Sequence, residues 1–184
     1  MADQVLRLKE IEDFFYLITC QMLDIDLEKE ENQSKVRIAW PTDGAPAWSI
    51  NEDVAYLRIT PVDDKMARQQ NIIYNPHEQD KAYAKKQTVY TRVHKVNWTL
   101  YGPNSYDNAD VIRHMIFDYD YMKKFKVKNL FLITDVPMPT RLPEYYNGQW
   151  WERTDFSATF NEAVIRETKV PYITGTEIKT IHNR

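Results

Sequence analysis

At 184 residues, with 43% hydrophobic and 13% aromatic content, this chain is long enough to bury a core of its own and reads as one domain rather than disorder. A net charge of −3 argues against general nucleic-acid binding, and only four glycines leave little material for a phosphate-cradling loop. The single Cys20 excludes an internal disulfide, and no apolar run approaches the roughly 20 residues of a membrane span or the layout of a signal peptide.

Leu8, Ile11, Phe15, Ile18 and Met22 recur at three- and four-residue steps, which predicts an amphipathic helix over Val5–Leu23. Cys20 falls within this apolar pattern and reads as a buried thiol rather than a nucleophile. Lys35–Trp40 alternates, with Val36, Ile38 and Trp40 on one side, and Pro41–Pro46 has turn chemistry around Asp43-Gly44. Val54–Ile59 predicts a second strand, stopped by Pro61.

Asp63–Lys86 is polar and lacks a clear period. Its length suggests a functional excursion, with Ile72, Ile73 and Tyr74 as a small contact patch at its tip. Gln87–Tyr101 predicts a long strand whose parity flips: Val89, Thr91 and Val93 share one side, and Val96, Trp98 and Leu100 the other. A bulge, or a change of buried side, produces such a flip. The first half is expected to project as a hairpin arm (about 63–95 in all) and the second half to join the main sheet.

Gly102–Ser105 offers a turn and a helix cap, and Tyr106–Lys124 predicts a second helix lined by Ala109, Ile112, Met115, Ile116, Tyr119 and Met122. Leu130–Val136 is a short apolar strand, and Pro137–Gly148 is a loop with three prolines and the pair Tyr145-Tyr146. In Trp151–Ile165 the even positions Phe156, Ala158, Phe160 and Val164 alternate with Asp155, Ser157, Thr159 and Asn161, the period of a half-buried strand. Ile173–Ile181 reads as a last short strand. The order predicts an α+β fold: a mixed, mainly antiparallel sheet with two main helices on one face and a long hairpin or loop arm.

A search for chemistry finds little. His77, His94, His114 and His182 do not pair with each other at ligand spacing. His94 reads as a strand residue at an interface and His114 as partly solvated. Asp63-Asp64 is the best candidate for a divalent cation, with a solvated turn as the plainer alternative. No nucleophile elbow, zinc-protease or phosphate-loop motif occurs, so no catalytic, metal or cofactor site is expected.

Charge is segregated instead. Met1–Glu31 holds nine acids and three bases, while Lys81–Asn104 holds five bases and no acid. Two ordinary solvated faces would account for this. The sharper reading sets the basic arm of one copy (Lys85, Lys86, Arg92, Lys95) against the acidic surface of the next (Glu28, Glu30, Glu31). A weaker variant turns the arm toward DNA. Aromatic residues at loop edges, Tyr145 and Tyr146 among them, suit a protein interface.

Four segments occur together in order: VRIAWPTDGAPAW (Val36–Trp48), DVAYLRITPVDD (Asp53–Asp64), VNWTLYGPNSYDNADVIR (Val96–Arg113) and WWERTDFSATFNEAV (Trp150–Val164). Over about residues 5–165 the set resembles the neck or tail-terminator proteins of long-tailed bacteriophages. The resemblance implies a virion structural protein made in the host cytoplasm. It implies a ring of six subunits that caps the tail tube, docks to the head connector, and contacts a sheath where the tail contracts; DNA would pass through the lumen without specific binding. Another head-completion adaptor, a baseplate part, or a small metal-dependent hydrolase using Asp63 and Asp64 are the competing readings.

Overall fold

The computed structural model describes residues 3–39, 48–76, 80–173 and 175. The expected Pro41–Pro46 turn, Trp40, and most of the expected Ile173–Ile181 strand lie outside them. The elements are α1 (Leu8–Met22), β1 (Val36–Ile38), β2 (Val54–Val62), β3 (Gln70–Pro76), β4 (Tyr83–Tyr101), α2 (Ser105–Met115), α3 (Tyr119–Val127), β5 (Leu130–Leu132), β6 (Thr140–Arg141), β7 (Glu144–Tyr146), β8 (Gln149–Trp151) and β9 (Arg153–Pro171). The fold is α+β.

One sheet runs β1-β2-β4-β9-β5, with β3 beside the first half of β4 and β6 beside the start of β9. β1 is parallel to β2 and every other pairing in this sheet is antiparallel. β4 and β9 pair along all 19 residues, from Tyr83↔Pro171 to Tyr101↔Arg153. That ladder has no slip in register, so the parity flip in β4 is not a bulge. Val96, Trp98 and Leu100 face the helices, while Val93 is buried on the opposite side of the same flat pairing. Ala84, in the arm, is buried on the same side as Val96, and Val89 and Thr91 are only half-buried, so the buried side of β4 does not switch; burial thins in the arm, and Val93 is the one β4 residue buried on the other face.

The helices cover one face. Phe15 and Ile18 of α1, Ile112 of α2 and Phe125 of α3 pack on Leu57, Val96, Trp98, Phe156 and Phe160. Phe15 lies 4.9 Å from Phe160 and 6.0 Å from Phe125 between ring centroids, and Trp98 stacks on Phe156 at 5.3 Å. The Trp98 indole donates to Thr19 Oγ1 at 2.9 Å, which satisfies its one polar atom in the core. Cys20 is buried, and burial pushes its thiol up to about 11.

Pro61, expected to stop β2 after Ile59, lies inside it in register with His94, and three further expectations need correction. The single helix over Tyr106–Lys124 is two helices, because Asp118 adopts extended angles and its carboxylate caps α3 by accepting the Asp120 N–H. The break resets the helical phase. Tyr121 and Phe125 therefore enter the core, while Tyr119 and Met122, expected there, are exposed. Second, Asp63–Lys86 contains a strand, β3, whose seven residues are all exposed. A strand wet on both faces has no apolar alternation to read. Third, β9 begins at Arg153 and runs six residues past Ile165, while Trp151 belongs to a separate hairpin, β7–β8.

Candidate assembly surfaces

The arm is three strands wide. β4 is flanked by β3 (Gln70↔Tyr90 to Pro76↔Ala84) and by the end of β9. Ile72, Ile73 and Tyr74 lie midway along β3 rather than at a tip, at 51%, 46% and 62% exposure. Adjacent strand positions face opposite ways, so Ile72 and Tyr74 share one face with Lys86, and Ile73 lies on the other with Lys85. Among the described residues the outer edge of β3 has no strand partner. At its root, the opposite edge of the arm is met by the N-terminal segment. Gln4 exchanges backbone hydrogen bonds with Ile165 (2.9 and 3.2 Å), and Asp3 accepts the Glu167 N–H at 2.9 Å.

Where the arm meets the sheet sits a group the alternation of β9 concealed. Glu162 occupies the buried parity between Phe160 and Val164 and is 1% exposed. Arg92, its cross-strand partner, donates through Nε and Nη2 at 2.9 Å each. His94 Nε2 lies 2.8 Å away, and the Leu6 N–H donates at 2.9 Å. A carboxylate only accepts, so the His94 proton sits on Nε2. Burial pushes the Glu162 carboxyl up, but the hydrogen bonds from His94, Leu6 and Arg92 outweigh it and hold it below the usual range. Arg92 Nη2 also donates to Leu6 C=O at 2.6 Å. The cluster staples the N-terminal segment to the root of the arm.

The four bases expected to form one patch are thus divided. Lys85 and Lys95 lie on one face of β4 and Lys86 and Arg92 on the other. Arg92 is held by Glu162, and His94, expected at an interface, is 5% exposed against the same carboxylate. His114 is exposed, as expected. Glu28, Glu30 and Glu31 are exposed on the connection between α1 and β1. That connection leads into β1, whose Val36 is level with Ala55 and so with Leu100 at the far end of β4. Leu100 is fifteen positions along β4 from Lys85, about 50 Å at the strand rise.

The helix-free face of the sheet is polar. Tyr56, Arg58, Lys95, Asn97, Thr99, Arg153, Asp155 and Ser157 line an open hollow of about 430 Å³, walled on one side by Pro137–Leu142. Beside it the β7–β8 hairpin turns on Asn147 (φ 51°) and Gly148 (φ 80°), both left-handed, as a type I′ turn requires. The loop expected over Pro137–Gly148 therefore ends in a strand carrying Tyr145 and Tyr146, which are 62% and 67% exposed. Asn-Gly between aromatic runs was the sequence signal for it.

Asp63 and Asp64 have local roles. Asp63 pairs with Arg68, and Asp64 accepts the Ala67 N–H at 3.4 Å. Among the described residues no three His, Cys, Asp or Glu side chains come together as a metal site. No described helix is long and apolar enough to cross a membrane.

The family model of the phage neck terminator protein matches residues 9–184. The chain belongs to the phage neck terminator family. None of the curated proteins compared with it matches. A neck terminator is a structural component of the virion tail and works by contact with other tail and head proteins, which accords with the exposed aromatic residues of the β7–β8 hairpin. The resemblance noted in the four sequence segments is thereby borne out at the level of the family.

Proposed function

We propose that this neck terminator acts as a single-domain subunit of a closed ring, six copies by its family resemblance, that caps the tail tube and joins it to the head connector. The observation that carries the reading is the separation of charge: the acidic connection with Glu28, Glu30 and Glu31 and the lysines Lys85 and Lys86 of the arm stand at opposite ends of β4. A ring needs head-to-tail contact between two different patches on each subunit, and opposed charges fix register between them. The arm adds the open edge of β3 with Ile72, Ile73 and Tyr74, which suits pairing with a neighbour or the tube. Tyr145 and Tyr146 offer a further contact on the hairpin.

Light scattering of the purified chain across ionic strength, alone and with tail tubes, tests the ring. Lys85→Glu with Lys86→Glu is expected to abolish assembly, and adding Glu30→Lys with Glu31→Lys to restore it. Assembly indifferent to both salt and these reversals would remove the charge pairing. Particles made without the protein should carry overlong tails or tails detached from heads; normal particles would overturn the function itself.

A further inference from the structure

We propose that the cavity between the β7–β8 hairpin and the sheet is a receptor for a basic side chain, lysine or arginine, carried on a partner polypeptide. Trp48, Tyr101, Glu144, Tyr146 and Trp151 line a space of about 450 Å³. Trp48 meets Tyr101 at 5.6 Å and Trp151 at 5.9 Å between centroids, and Tyr146 meets Trp151 at 6.4 Å, so four ring systems wall the space. Aromatic faces carry negative quadrupole charge and attract ammonium and guanidinium groups.

The carboxylate completes the chemistry. Glu144 Oε2 accepts the Tyr101 hydroxyl at 3.0 Å and Arg153 Nη1 at 3.3 Å. Arg153 is also held by Asp155, bidentate at 2.8 and 2.9 Å, so two carboxylates share one guanidinium beside the cavity. The cluster already shows its preference: the Arg37 guanidinium stands 5.2 Å from the Trp48 ring centre and 5.7 Å from that of Tyr56, outside the cavity.

The contacts that a neck terminator makes with other tail and head proteins point to a polypeptide, rather than a free ammonium ion, as the source of the cation. The Asn147-Gly148 turn is what brings Tyr146 and Trp151 to face Trp48. This receptor needs no ring, and its test is separate from that of the ring.

The experiment titrates acetyl-Gly-Lys-Gly-amide into the isotope-labelled chain and follows the indole N–H resonances of Trp48 and Trp151. Stacked-cation contacts at a half-exposed site give a dissociation constant of about 1–10 mM. The norleucine peptide should bind at least about tenfold more weakly, since it keeps the apolar stem and lacks the charge. Glu144→Gln and Tyr146→Ala should each weaken the lysine peptide about three- to tenfold with an unchanged far-ultraviolet spectrum, and Tyr146→Phe should bind like the parent. Equal response to norleucine, no shift at saturating peptide, or indifference to both weakening variants would overturn the proposal.

Discussion

Replacing Glu162 with alanine is the most direct test of how the arm is anchored. The carboxylate takes four hydrogen bonds, at 2.8 to 2.9 Å, from Arg92, His94 and Leu6. Removing it leaves a guanidinium, an imidazole and a backbone N–H facing an empty space. Breaking a buried pair at one partner costs about 3–5 kcal/mol. Arg92 keeps 32% of its side chain in water, so the lower end, about 3 kcal/mol, applies. For a chain of this length that lowers the melting temperature by roughly 6–12 °C. Thermal unfolding followed by circular dichroism reads it. Glu162→Leu with Arg92→Leu should cost less than the sum of the two single changes by about 1–3 kcal/mol, because the stranded charge goes with its partner. The folded carboxyl titrates below its ordinary value of 4.5, so its contribution is full above that pH and is lost as pH falls through the lower folded value. Glu162→Gln should therefore flatten the acid limb of the stability curve. A loss under about 1 kcal/mol, or strict additivity with Arg92, would refute the staple.

Gly102 sits at φ +109°, and a Cβ there would stand 2.5 Å from Asp53 Oδ1 and 2.6 Å from Glu52 C=O, so Gly102→Ala should cost about 2–4 kcal/mol in chemical denaturation. Gly148 shares the left-handed region, but nothing lies within 4 Å of its Cβ position. Gly148→Ala should thus cost only about 1–2 kcal/mol, seen as faster amide exchange in β7–β8 with the global melt nearly unmoved. Burial and the hydrogen bond to Glu144 push the Tyr101 hydroxyl up to about 12 from 10.0. That contribution is full below pH 10 and lost as pH rises through 12, so Tyr101→Phe should flatten the alkaline limb; an unchanged ultraviolet titration of phenolate in that window would contradict it.

The helix over α1 and the strand over β9 could be read from the chain because burial on one face writes its period into the residues: Ile11, Phe15 and Ile18 at helical steps, Phe156, Ala158 and Phe160 at alternate positions. The segment set Val36–Trp48, Asp53–Asp64, Val96–Arg113 and Trp150–Val164 pointed to the neck terminator family, which the family model bears out. β3 left no such mark, being exposed on both faces, and its place was settled by the ladder it forms with β4. The split between α2 and α3 hung on one capping carboxylate, Asp118, inside an apolar period that continues across it.

Side-chain partnership was decided in space alone. Glu162 and Arg92 are 70 positions apart and meet because 19 residues of β4 and β9 lie in unbroken register. A charge pattern along the chain put Arg92 with Lys85, Lys86 and Lys95, but the pleat divides those four between two faces and hands Arg92 to a buried carboxylate. Local periodicity records which face of an element is dry; it carries nothing about which distant residue will be opposite, because that depends on pairings closed over long loops of chain.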